Sequence, residues 1–274
     1  MKNKIVLTGQ VWVASDIHLG PQAPATVHAF GRFLDQASQQ ADALILLGDI
    51  FDAWIGDDFA LQAPPAWLSD ILAKLQQLAT KIPLFLGRGN RDFLIGPALA
   101  RHIGAQLLPD KFILQADCGP LLLSHGDEYC TADKNYQRFR TVVRCPVIQG
   151  MFLSLSLNTR RRIAEWARSR SRQANQTKPA QIMDVSTKAI EQAWTDSGID
   201  VLVHGHTHRP AVHSSLHLGR ECTRIVLPDW DYDHGAPVRS GWLSISASGP
   251  ELRLHTFTPS DDITSADNTA ASDV

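Results

Sequence analysis

Five times in this chain a short apolar run ends directly in residues able to bind a metal ion. Val11–Ser15 (VWVAS) runs into Asp16 and His18, Leu44–Leu47 (LILL) into Gly48 and Asp49, and Pro83–Leu86 (PLFL) into Gly89, Asn90, Arg91 and Asp92. Leu121–Ser124 ends at His125, and Val201–Val203 ends at His204, Gly205, His206, Thr207 and His208. Runs of this length and composition read as buried strands. In open α/β sheets, ligands bind outside the carboxyl ends of the strands. The five polar ends are therefore expected to meet, which restricts the chain to folds that align these strands.

The intervening sequence supports an α/β reading. Thr26–Gln40 and Trp67–Leu78 carry apolar residues at helical spacing, the second through Leu68, Ile71, Leu72, Leu75 and Leu78. Strands alternating with helices suggest βαβ units. The pattern then changes. Lys111–Gln115 and Leu121–Ser124 read as strands with no helix between them, and a long helical stretch runs from about Thr131 to Ser197. Strand signals return at Val201–Val203, Thr223–Leu227, Trp242–Ser246 and Glu251–His255, the last two joined by a Ser248-Gly249-Pro250 turn that suggests a hairpin. The expectation is one domain over residues 1–258 with a helical insertion at about 131–197. The Ser/Thr/Asp/Ala-rich tail, 259–274, is expected to be disordered.

Composition removes several function classes. Lys plus Arg is 26 and Asp plus Glu is 28, so no overall basic excess points to nucleic acid. The four cysteines form no CxxC pair, which argues against a thiolate zinc site or a dithiol redox motif. No run of about 18 apolar residues is present. A reduced, cytoplasmic protein is expected, with no obligate protein partner.

The donor chemistry favours metal ions. Carboxylate, amide oxygen and imidazole suit Mn²⁺, Fe²⁺ or Zn²⁺. Seven candidates (Asp16, His18, Asp49, Asn90, His125, His206 and His208) exceed the needs of one tetrahedral site. Two ions about 3.5–4 Å apart, sharing a bridging carboxylate, would use them all. An aspartate after a strand is ordinarily a helix cap, and a lone histidine is ordinarily structural. It is the ordered set D-x-H, GD, GN-x-D, H, GHTH that argues for a centre. Gly48, Gly89, Gly126 and Gly205 beside the ligands would let the backbone turn sharply there.

This ordered set, from Val11 to His208, resembles the calcineurin-like metallophosphoesterase superfamily. The resemblance implies a β-sandwich flanked by helices (αββα) with a dinuclear centre. Asp16, His18 and His208 would hold one ion, Asn90, His125 and His206 the other, and Asp49 would bridge them. Most members place a histidine after the asparagine, often assigned as the general acid; here it is Arg91. Arginine stays protonated and cannot supply a proton. It can stabilise charge developing on a phosphoryl group. A site of this kind suits a leaving group that needs no proton, such as a phosphate whose second pKa is about 6. A phosphoanhydride is favoured over an alkyl phosphate ester.

A narrower resemblance follows from DIFDAWIGDD, GNRDFLIG, SHGDEYCTAD, and IMDV followed by HGHTHRPAVH. These segments look like the family that hydrolyses UDP-2,3-diacylglucosamine in bacterial lipid A biosynthesis. The resemblance implies a Mn²⁺-dependent attack of water on the α-phosphorus of this lipid-linked nucleotide sugar, giving UMP and 2,3-diacylglucosamine 1-phosphate. Asp49, Asn90 and Arg91 would be catalytic. Asn90, Arg91, Asp133, Ser171, Asn175, Lys178 and His206 would contact substrate. Helix capping is the alternative for Ser171 and Asn175. A soluble nucleotide pyrophosphatase or phosphodiesterase of the same superfamily, or a non-catalytic metal-binding scaffold, are the competing readings.

Within the helical stretch, Arg138–Lys178 holds ten Lys/Arg and one acid, Glu165, beside Val142, Val147, Ile148, Met151, Phe152 and Leu153. Basic residues on apolar helices suit an anionic membrane surface, here the cytoplasmic face of the bacterial inner membrane, but also an ordinary lid with solvated arginines. Asp92 is expected to position a metal ligand. Asp52, Asp57, Asp58 and Asp127 read as solvated loop acids. The seven tryptophans read as core or rim packing.

Overall fold

A computed structural model describes residues 3–62, 64–177, 184–234 and 236–257. The tail 259–274 and Lys178 lie outside the described residues. In chain order the elements are β1 (Lys4–Val6), β2 (Val11–Ala14), α1 (Pro24–Gln40), β3 (Ala43–Leu46), α2 (Asp57–Gln62), α3 (Ala66–Ala79), β4 (Leu84–Leu86) and α4 (Pro97–His102). There follow β5 (Gln106–Leu107), β6 (Lys111–Ala116), β7 (Gly119–Ser124), α5 (Lys134–Val143), α6 (Pro146–Leu153), α7 (Leu157–Thr177) and α8 (Thr187–Ser197). The chain ends on β8 (Val201–His204), β9 (Ala211–His217), β10 (Arg220–Val226), β11 (Gly241–Ser246) and β12 (Gly249–Leu254).

These strands form two six-stranded sheets, ordered β1-β6-β7-β8-β10-β9 and β12-β11-β2-β3-β4-β5. β2, β3 and β4 run parallel, as do β7 and β8. β11 and β12 pair antiparallel with Ser246 opposite Gly249, closing the hairpin at the expected turn.

Successive strand residues point to opposite faces, and that alternation builds the layers. Val11 and Val13 of β2, with Ala43 and Ile45 of β3, meet Phe112, Leu114, Leu121 and Leu123 of β6 and β7 between the sheets. Trp12, Ala14, Leu44 and Leu46 point the other way, onto Phe30, Phe33 and Leu34 of α1 and Leu68, Ile71 and Leu72 of α3. α1 begins with Pro24 in its first turn, where a missing N–H costs nothing. On the opposite outer face, Ile190, Ala193 and Trp194 of α8 cover Leu122, Leu202 and Cys222. The result is helix, sheet, sheet, helix. α8 thus packs on the sandwich, while α5, α6 and α7 stand over the carboxyl ends of the strands.

Several elements escape the periodicity of the sequence. β1 and β9 are edge strands with largely exposed residues, so no buried face imposes an apolar alternation. α2 and α4 span six residues each, too few for a stripe. Trp166 on α7 departs from the packing expectation, being 62% exposed.

Candidate active site

The carboxyl ends of β2, β3, β4, β7 and β8 lie along one edge of the sandwich. They bring the seven candidate ligands together. Asp16, His18 and His208 form one group and Asp49, His125 and His206 another, with the ligand atoms in each within 4.8 Å of one another. His18 Nε2 lies 3.2 Å from His208 Nε2, and His208 Nε2 lies 3.5 Å from Asp16 Oδ1. His125 Nε2 lies 3.1 Å from Asn90 Oδ1 and 3.6 Å from Asp49 Oδ2.

The backbone is strained where these side chains originate. Asp16, His18, Asp49, His206 and His208 all have φ between 51° and 67°. A non-glycine residue in this left-handed region costs about 1–2 kcal/mol. Such outliers persist only where the surroundings over-determine them. Asp92 supplies part of that determination. Its buried carboxylate accepts the backbone N–H groups of Gly89, Asp49, Ile50 and, at 3.4 Å, Phe51, tying the β3 and β4 ends together. Asp49 Oδ1 in turn accepts from Arg91 N at 2.7 Å, and Asp16 accepts from His206 N. Gly89 and Gly205 permit these approaches, because a Cβ would overlap the Asp49 carboxylate at one and Asp16 and Ser15 at the other.

Burial and mutual charge shift the buried acids and histidines of this centre. Burial, against the pull of His125, raises the Asp49 carboxyl to about 7. Burial also acts to raise Asp16, but His208 and His125 outweigh it and hold that carboxyl well below the usual range. Burial and the nearby Arg91 charge depress His18, and burial with His125 brings His206 down to about 3. Burial opposes protonation of His125 and His208, yet Asp49 and Asp16 overcome it and raise both.

The residues fit divalent cations. Donor atoms bound at about 2.0–2.2 Å to one ion sit about 3–3.5 Å apart, and the separations above fall around that range. His18 Nδ1 and His125 Nδ1 are buried without a hydrogen-bond partner, so neither ring is fixed by a protein acceptor on its other nitrogen. Two carboxylates and four imidazoles packed this closely are stabilised by a cation shared among them.

The insertion closes over this centre through ion pairs. Arg144, which caps the C-terminus of α5, donates to Gly89 O at 2.9 Å, beside Asn90. Asp127 is buried and accepts from Tyr136 Oη at 2.6 Å and Arg140 Nε at 2.7 Å, while the Tyr136 ring stacks on His206 at 6.0 Å. Arg160 of α7 is 2% exposed and reaches Ile55 O and Asp58. Asp52 joins Arg91 to Arg168. Asp57 accepts from Gly96 N, Leu99 N and Trp54 Nε1. Asp52, Asp57, Asp58 and Asp127 are thus structural partners rather than solvated acids. The arginines that Asp52, Asp58 and Asp127 meet lie 13 to 116 residues away, which leaves no local signal in the sequence.

The other candidates are placed as follows. Asp133 caps α5, accepting from Tyr136 N at 3.0 Å. Ser171 and Asn175 lie on α7. His204 ends β8, buried, with its ring against Gly205 O and Arg224. Arg209 pairs with Asp184 at 2.6 Å. Arg138, Arg161, Arg162 and Arg170 are exposed, as are Val142, Val147, Met151 and Trp166. Among the described residues no helix is long and apolar enough to cross a membrane.

A sequence model of calcineurin-like phosphoesterases matches residues 9–210. The UDP-2,3-diacylglucosamine hydrolase of Bordetella parapertussis is 53% identical over 247 residues, covering 90% of this chain and 95% of its own length. The proteins of that name from Serratia proteamaculans and Shewanella baltica are 42% and 40% identical, over 87% and 88% of this chain and 95% of each of theirs.

Proposed function

The chain belongs to the calcineurin-like phosphoesterase family, and from that premise we propose that it hydrolyses the pyrophosphate bond of UDP-2,3-diacylglucosamine. Water attacks the α-phosphorus, and UMP and 2,3-diacylglucosamine 1-phosphate leave, a step of lipid A biosynthesis. The observation that carries this reading is the 53% identity to a UDP-2,3-diacylglucosamine hydrolase, which extends over 247 residues, 90% of this chain.

Asp16, His18 and His208 would hold one divalent ion and Asn90, His125 and His206 a second, with Asp49 available to both groups; Mn²⁺ is the ion we assign. Ions bound there supply an acidified water and neutralise charge at phosphorus. The chain supplies the rest. Asp92 fixes the backbone of Asp49, and Asn90 directs its amide oxygen at the centre. Arg91 offers a permanent positive charge to the phosphoryl oxygens and does not give up a proton to the leaving group. A phosphate leaving group requires none, since it departs as an anion at neutral pH. Asn90, Arg91 and His206 contact the pyrophosphate. Asp133, Ser171, Asn175 and Lys178 are assigned to contact the substrate from the insertion.

The exposed apolar residues of α5–α7 and the exposed arginines beside them support peripheral binding to an anionic membrane, on the cytoplasmic face of the inner membrane. The test is UMP release from UDP-2,3-diacylglucosamine by metal-free enzyme and after addition of Mn²⁺, with UDP-glucosamine alongside. Release that needs both Mn²⁺ and the acyl chains is expected. Equal release from both substrates overturns the lipid assignment and leaves a nucleotide pyrophosphatase.

A further inference from the structure

Asp52 lies between two arginines that approach from different parts of the fold. Its Oδ1 accepts from Arg91 Nη1 at 3.0 Å, and its Oδ2 accepts from Arg168 Nη2 on α7. Its backbone N–H donates to Leu19 O at 3.0 Å, which ties the loop after Asp49 to the segment that follows His18. The three side chains are only 22% to 34% exposed, which withdraws the pairs from much of the surrounding water. Arg91 is anchored at its own backbone by Asp49, and its charge is felt at both His18 and Asp49.

Charge counting gives this arrangement a purpose. An arginine paired with one carboxylate presents no net charge to an anion. Adding Arg168 leaves the trio with a net positive charge, and the carboxylate holds both forks in place. We propose that Asp52 is a positioning residue that joins Arg91 and Arg168 into one guanidinium pair for the substrate pyrophosphate, complete only while α7 is docked. This rests on the hydrolase reading above. Asp52 itself touches no reacting atom; it acts through the two arginines.

The test uses the full chain with both metals. Asp52→Asn keeps the shape and removes the charge. It should lower kcat about ten- to a hundredfold, as small misplacements of binding groups do, with bound metal and Tm unchanged. In the Arg91→Ala/Arg168→Ala background, adding Asp52→Asn should change kcat by less than about twofold, because its partners are gone. A loss undiminished in that background, or a loss of metal from Asp52→Asn alone, overturns the proposal. Limited trypsinolysis reads the same clasp without substrate, since α7 carries exposed Arg161, Arg162 and Arg170. Asp52→Asn should speed cleavage within α7, and an unchanged rate overturns the clasp. A wild-type chain that releases no UMP overturns the hydrolase reading instead, and trypsinolysis still decides the clasp.

Discussion

Asp49 is buried beside Asp16 and Asp92, and burial raises its carboxyl to about 7 in the absence of a cation. His125 is raised as well, by the Asp49 and Asp16 carboxylates, so the Asp49–His125 pair holds a proton near neutrality. His206 at about 3, and His18, also lowered, are already neutral there. Ligands must be deprotonated to bind a metal, so loading the centre displaces the proton held by Asp49 and His125. Metal affinity should therefore weaken as pH falls below 7, by about tenfold per unit for each proton displaced. Calorimetry at pH 6.5 in buffers of different ionisation heat should record proton release; a heat independent of buffer would mean that Asp49 and His125 are already deprotonated. Asp49→Ala should lose both metals and all turnover. Arg91→Ala should lower kcat about a hundredfold, the usual cost of removing one charge-stabilising donor. Elemental analysis should find both metals retained in Arg91→Ala; a fall in metal content would mean the guanidinium holds the centre together instead.

At the scale of elements, α1 and α3 are legible because each has one buried face, and the apolar spacing records it. The insertion is only half legible. Its charge excess is plain in the sequence, but four of its arginines (Arg140, Arg144, Arg160 and Arg168) turn inward onto acids or carbonyls and not outward. Arg160 is the firmest of these anchors, binding Leu155 O, Ile55 O and Asp58 while almost wholly buried. Arg160→Met keeps the bulk of the chain and strands the Ile55 carbonyl, at about 1–3 kcal/mol for an unsatisfied buried acceptor. The expected outcome is a lowered urea midpoint and a raised KM for the acylated substrate. An unaltered midpoint would show that α7 is held by its apolar contacts alone.

For the whole molecule, the chain end tests where the sandwich stops. Phe257 is 5% exposed and packs on Phe33, Trp230 and Trp242, closing the aromatic cluster under α1. Removing residues 259–274 should leave turnover and Tm unchanged, whereas Phe257→Ala should cost about 3–5 kcal/mol by opening a cavity. A tenfold loss of turnover on deleting 259–274 would give that segment a part in the reaction. Equal thermal stability of Phe257→Ala and wild type would place the edge of the core short of Phe257.

The sequence by itself determined the donor set and its order. Ligand chemistry belongs to residue type, and an apolar strand followed by Asp, His or Asn is a local pattern. The layered α/β architecture was legible for the same reason, since burial on one or two faces imprints a period on the elements that form it. Only the tertiary structure decided which acids hold which arginines. Asp52 meets Arg168 across 116 residues, and Arg160 meets Asp58 across 102. Such pairs are set by how the insertion lies on the sandwich, and no periodicity records a contact made at that separation. The left-handed backbone at Asp16, His18, Asp49, His206 and His208 is likewise a product of the assembled core, because local preference alone disfavours it.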